Sequence, residues 1–115
     1  MKIERSLEDQ RMVIYRERNR NIRAMGFKSY GHYLKSPLWF KIRDEVLRSK
    51  PDCVRCGKPA TQVHHGKYRK KDLEGRDLNF LYSVCARCHH WAEFRSSDNA
   101  KLTPKQATHK LRFSK

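Results

Sequence analysis

Two C-x-x-C pairs, Cys53-x-x-Cys56 and Cys85-x-x-Cys88, constrain this chain more than any other feature. Each pair presents two thiolates from a single turn, and together they supply the four soft donors that a tetrahedral zinc site requires. Four cysteines also suffice for two disulfides, but the opening Met1-Lys2-Ile3-Glu4-Arg5 has neither an apolar signal core nor the acid-poor character of a transit peptide. That points to a reducing cytoplasm, where paired C-x-x-C motifs more often bind metal than oxidise. A redox dithiol needs only one of the two pairs. A closed four-cysteine site leaves no open position for substrate, so the expected structural Zn2+ holds the fold and does no chemistry.

Such a staple answers a shortage of core. Of 115 residues, 37% are hydrophobic and 34% charged, and small domains often add a metal or disulfide when burial alone is thin. Lys and Arg number 27 against 12 Asp and Glu, a formal net charge of +15. For so short a chain this favours a polyanionic partner. No long apolar run or amphipathic anchor favours a membrane surface, which leaves nucleic acid.

Local signals divide the chain into residues 1–28, a basic helical extension; 29–95, the metal-bearing domain; and 96–115, a basic tail. In the extension, Ser6 is a cap with Asp9 three residues on, and Leu7, Val13, Ile14, Ile22 and Met25 form a partial apolar stripe ending at Gly26. That stripe either packs on the domain's own core or docks a protein partner. A second helix starts at Ser36-Pro37 and runs to about Ser49, with Trp39 in its core face. Thr61 to His64 and Phe80 to Val84 read as short strands joined by a basic loop from Gly66 to Asp77, and Cys85 opens a helix to about Arg95. The tail carries one short helix after Thr103-Pro104 and is expected to be partly disordered without a partner.

Four of six histidines flank the cysteine motifs, as the pairs His64-His65 and His89-His90. A zinc-closed hairpin brings both pairs together, and histidine clusters mark metal or catalytic chemistry. Neighbours on a strand face opposite ways, so His64 and His65 have different roles unless the strand ends between them. Glu93 follows His89 by four residues, on the same helical face. Lys67, Arg69, Lys70 and Lys71 are suited to gripping a phosphate backbone, and Tyr68 either packs or touches it.

The runs Val63-His64-His65 and Leu81-Tyr82-Ser83-Val84-Cys85-Ala86-Arg87-Cys88-His89 resemble the zinc-finger branch of the HNH endonucleases. So does Tyr33-Leu34-Lys35-Ser36-Pro37-Leu38-Trp39, with Arg43 four residues further on. The resemblance covers residues 30 to 95. It implies an α+β fold with a small ββα-metal (His-Me finger) core, stapled by the four-cysteine zinc and preceded by two helices. It further implies that His65 is the general base, that His64 and His89 hold a catalytic divalent ion (Mg2+, Mn2+, Ni2+ or Zn2+), and that the product carries a 5′-phosphate. Arg43 and Arg87 join the backbone-gripping set, and Asn79, His90 and Glu93 are candidates for support. The family's middle asparagine falls on Phe80, one residue after Asn79. Either the strand shifts by one and Asn79 serves, or backbone alone orients the base.

The expected activity is therefore a metal-dependent endonuclease or nickase on double-stranded DNA, monomeric and intracellular, for which a phage or mobile-element origin would fit. The rival reading is a zinc-stabilised nucleic-acid-binding module without catalysis, and a third is an accessory subunit docked by its first helix.

Overall fold

The computed structural model describes residues 6–114, so the reading of residues 1–5 lies outside the described residues. The elements run α1 (Leu7–Ala24), α2 (Tyr30–Leu34), α3 (Pro37–Ser49), β1 (Gln62–His65), α4 (Lys70–Leu73), β2 (Leu81–Val84), α5 (Ala86–Glu93) and α6 (Pro104–Phe113). Capping chemistry sets many of these limits. The Ser6 side chain accepts from the Asp9 N–H at 3.1 Å to start α1. Its end is a Schellman arrangement, with the Gly26 N–H on the Arg23 carbonyl and the Phe27 N–H on that of Ile22. Gly26 occupies the left-handed position at φ +96 that an L side chain resists. Ser36 caps α3 by accepting from Trp39 N–H, with Pro37 in the first turn.

Three helices precede β1 rather than the expected two. The additional one, α2, is a single turn started by Ser29, whose side chain accepts from the His32 N–H. The loop expected from Gly66 to Asp77 also holds a turn, α4. Asp72, wholly buried, accepts from the Arg69 N–H at 2.9 Å and from the Arg69 guanidinium at 2.9 Å on each oxygen.

The strands β1 and β2 pair antiparallel, with His65 opposite Leu81, His64 opposite Tyr82, Val63 opposite Ser83 and Gln62 opposite Val84. Alternation then sorts the side chains into two faces. Val63 and Leu81 join Ile22, Tyr33, Trp39, Ile42, Val46 and Leu73 in the larger core, and His65 stacks on its Trp39. On the other face Val84 meets Cys53, Cys88, Ala92, Ala107 and Leu111 in a smaller one. Arg43 on α3 donates to the Thr61 carbonyl at 2.8 Å just before β1.

Residues 104–113, expected within a partly disordered tail, are instead the wall of the second core. Thr103 and Gln106 form a reciprocal capping box, and Ala107 and Leu111, one turn apart, are buried against α5. Lys110 donates to the last carbonyls of that helix, Trp91 at 3.0 Å and Phe94 at 2.7 Å, where a cation complements the helix end. Because Leu111 is wholly buried, Leu111→Ala is expected to lower the unfolding free energy by about 2–5 kcal/mol in urea denaturation. A loss below about 0.5 kcal/mol, the range of surface substitutions, would mean that α6 does not pack.

Candidate metal centre and histidine cleft

The four cysteines converge from the two ends of the hairpin. Cys53 and Cys56 lie in the turn before β1, Cys85 caps α5, and Cys88 sits in its first turn, where its N–H donates to Cys85 Sγ at 3.4 Å. All four Sγ atoms lie within 4.8 Å of one another, and Cys56 and Cys85 Sγ are 3.8 Å apart. That is far beyond a disulfide length of about 2.05 Å. It matches the edge of a tetrahedron built on metal–sulfur bonds of about 2.3 Å. The donors therefore fit a structural metal ion. Burial pushes the Cys88 thiol up to about 12. At Cys53 burial acts the same way, but backbone N–H groups of Cys56, Cys85 and Arg55 prevail and bring it down to about 6. Gly57 closes the knuckle at φ +77, and Arg55 lies 3.8 Å over the Trp91 ring while donating to the Ser114 carbonyl at 2.8 Å.

Beside this knot, β1 and α5 bring His64 and His89 together with ring centroids 5.5 Å apart. Burial lowers the pKa of His89, although the Glu93 charge opposes the shift. His89 Nδ1–H donates to Gln62 Oε1 at 2.8 Å, so the neutral ring carries its lone pair on Nε2, which faces Glu93 Oε1 at 3.4 Å. Protonation of His89 makes this contact an ion pair, and in the neutral form the ring nitrogen and the carboxylate offer two lone-pair donors to a cation. On His64, Nε2 lies 2.9 Å from Thr108 Oγ1, whose own proton goes to the Pro104 carbonyl at 2.7 Å. The imidazole must then donate from Nε2, leaving the Nδ1 lone pair available. Two imidazole nitrogens and a carboxylate suit a divalent ion. As a trio they are not drawn together as the sulfurs are: among the described residues the four cysteines are the group of three or more ligand residues that gathers its donor atoms closely enough to hold an ion.

His65 points to the opposite face of the sheet and is only 4% exposed. Its ring stacks on Trp39 at 4.7 Å and Tyr68 at 5.4 Å, and its Nδ1 lies 3.1 Å from the Tyr30 hydroxyl. Its Nε2 is buried with no partner. Burial, with help from the charges of His64, His89 and Arg18, lowers its pKa to about 3. The same cause brings His64 to about 4. Both faces of β1 nevertheless open onto one cleft of about 720 Å³, lined by His64, His65, His89 and Glu93 and by the cations Arg18, Arg43 and Lys101.

The other expected residues scatter. Arg69 is engaged by Asp72 and reaches Asp77 at 3.4 Å, so its charge is already paired. Lys71 lies 3.9 Å from Asp77. Lys67 sits over the Phe80 ring at 4.1 Å, and Lys67 and Arg69 line a separate groove. Lys70 begins α4, and Arg87 is exposed on the first turn of α5. His90 packs on Phe94 at 5.1 Å. Asn79 donates its N–H to Asp77, and neither it nor Phe80 lines the histidine cleft. The polar partner of His65 is Tyr30, which the sequence reading missed, as it missed Gln62 and Thr108.

A buried neutral histidine fixes the sign of the pH dependence. Unfolded His65 titrates near about 6.5, whereas the folded residue stays neutral down to about 3. As pH falls between those values the unfolded state binds the proton and the folded state does not, so stability is lost with acidification. Thermal unfolding followed from pH 7 to 4 is expected to show that decline, and His65→Phe is expected to flatten it. An equally steep decline in the variant would assign the effect elsewhere. No family model, curated protein or solved structure matches this chain.

Proposed function

We propose that the protein is a metal-dependent phosphodiesterase of the HNH type that cuts nucleic acid, with duplex DNA the first substrate to test. The observation that carries this reading is the pairing of His64 on β1 with His89 and Glu93 on α5 inside a cleft rimmed by Arg18, Arg43 and Lys101. A strand pair followed directly by a helix supplies the frame, and Zn2+ in the four-cysteine site is its staple. A divalent ion at His64, His89 and Glu93 would offset phosphate charge and favour departure of the 3′ oxygen. Gln62 and Thr108 hold the two imidazoles in the ligating tautomer by accepting their other N–H groups.

His65 is the base in this reading, and Tyr30 is its positioning residue. Burial raises the Tyr30 hydroxyl pKa well above the usual phenol range, and a hydrogen bond to Tyr68 raises it further. Burial also raises Tyr68, where the bond from Tyr30 acts the other way. The Tyr30 hydroxyl lies 3.1 Å from His65 Nδ1; in this reading its oxygen accepts from His65 Nδ1–H, which leaves the Nε2 lone pair to take a proton from water. The +15 net charge supports a polyanionic substrate.

One observation favours the second reading, a zinc-stabilised binding module without catalysis: His65 is sealed by aromatic rings rather than open to water. Nicking of supercoiled plasmid across Mg2+, Mn2+ and Ni2+ separates the two. The nuclease reading expects metal-dependent open circles, lost by about 100-fold or more in His65→Ala and in His89→Ala, with Tyr30→Phe intermediate. Tight, salt-sensitive binding without cleavage in any metal would replace it with the binding module.

A further inference from the structure

On the far side of Tyr68 and Pro104 from the histidine cleft lies a second groove of about 560 Å³, between α1, the segment after β1, and α6. Its walls carry the cations Lys67, Arg69, Lys105 and Arg112, the rings of Phe80 and Phe113, and His109, against a single acid, Glu17. The two clefts share Tyr68 and Pro104 as a common ridge. They are further joined by the bond from His64, which lines the first, to Thr108, which lines the second. Gly66 lets the walls come together: a Cβ there would lie 2.9 Å from the Tyr82 ring and 3.1 Å from Thr108 Oγ1.

We infer that this groove binds a single-stranded polynucleotide, the unpaired continuation of the strand held in the histidine cleft. The inference rests on the phosphodiesterase reading for the second half of that statement. Two features decide for a single strand over a duplex. Phe113 is 65% exposed at the groove's edge, with His109 packed 4.9 Å away and the Arg112 guanidinium 5.3 Å from its centre. Phe80, beneath the Lys67 ammonium at 4.1 Å and the Arg69 guanidinium at 4.9 Å, is the second ring. The exposed Phe113 ring flanked by cations gives an unstacked base a platform and its phosphate a counter-charge, and Phe80, half-buried under its own cations, backs the groove. Bases already stacked in a duplex gain nothing from such rings. None of the salt bridges among the described residues takes in Lys67, Lys105 or Arg112, so their charge is free for phosphates.

The test is fluorescence anisotropy with labelled oligo-dT, oligo-U and a mixed-sequence DNA duplex of equal length, using metal-replete full chain with no further divalent ion added. Phe113→Ala and Arg112→Ala both alter exposed side chains, and circular dichroism checks that each remains folded. Phe113→Ala is expected to weaken oligo-dT or oligo-U binding about fivefold or more, the lower end of what one stacked base contributes, while duplex affinity moves less than about twofold. Arg112→Ala is expected to weaken single-strand binding and flatten its salt dependence. The better-bound oligonucleotide identifies DNA or RNA as the source of the strand. Unchanged single-strand affinity in Phe113→Ala, or equal losses for strand and duplex, would overturn the assignment. Because binding is read without turnover, a failure here leaves the plasmid assay untouched, and absence of nicking leaves this groove standing.

Discussion

Everything in this fold that has chemical interest hangs from the convergence of four sulfurs at the base of one short hairpin. The knuckle carrying Cys53 and Cys56 precedes β1, and the turn carrying Cys85 and Cys88 joins β2 to α5. A metal shared between them would fix the start of α5 against the start of β1. The backbone reinforces the junction where Val54 N–H donates to the Ser83 carbonyl and Thr61 N–H to that of Val84. With four residues in each strand, the sheet has little stability of its own. Without the knot, Gln62 and His89 would have no reason to meet, and the histidine pairs would lie on separate, fraying elements.

The second organising constraint is electrostatic. A chain with 27 basic residues and 12 acidic ones cannot neutralise itself by ion pairing, and the acids it has are used selectively. Asp72 is spent inside, on Arg69 and the start of α4. Glu93 is placed against His89. The buried histidines respond by staying neutral, since desolvation and surrounding positive charge both oppose protonation. Neutral imidazoles with lone pairs are the form in which histidine binds metal or accepts a proton. Burial, foremost, therefore keeps the interior histidines in that form.

How much of this could be read from the sequence depends on the range of the interaction. Caps, the proline-led start of α3, the strand pair and the cysteine knot were legible because each is written within a few residues or in a fixed spacing. Tyr30, the partner of His65, lies 35 residues away, and Thr108, the partner of His64, lies 44 residues away in what read as a tail. No local pattern announces such contacts. The helix after Thr103-Pro104 was legible from its cap, but its packing was not, because the buried Ala107 and Leu111 are a minority in a basic segment. Lys67 and Arg69 were legible as basic residues, but the sequence did not reveal that they line a different groove from the histidines. Alternation left open whether His64 and His65 face opposite ways or the strand ends between them; the strand runs through both, and that a single cleft reaches both faces followed only from the three-dimensional shape.

If His64, His89 and Glu93 form a second metal site distinct from the four-cysteine knot, optical titration with Co2+ reads it out. The sulfur site and a nitrogen–oxygen site give different spectra, because only the former has thiolate-to-metal charge transfer. Two equivalents per chain are expected: one with strong thiolate bands, and one without them that disappears in the His89→Ala variant while the first persists. A single equivalent, fully accounted for by the thiolate bands and unaffected by His89→Ala, would contradict a second site.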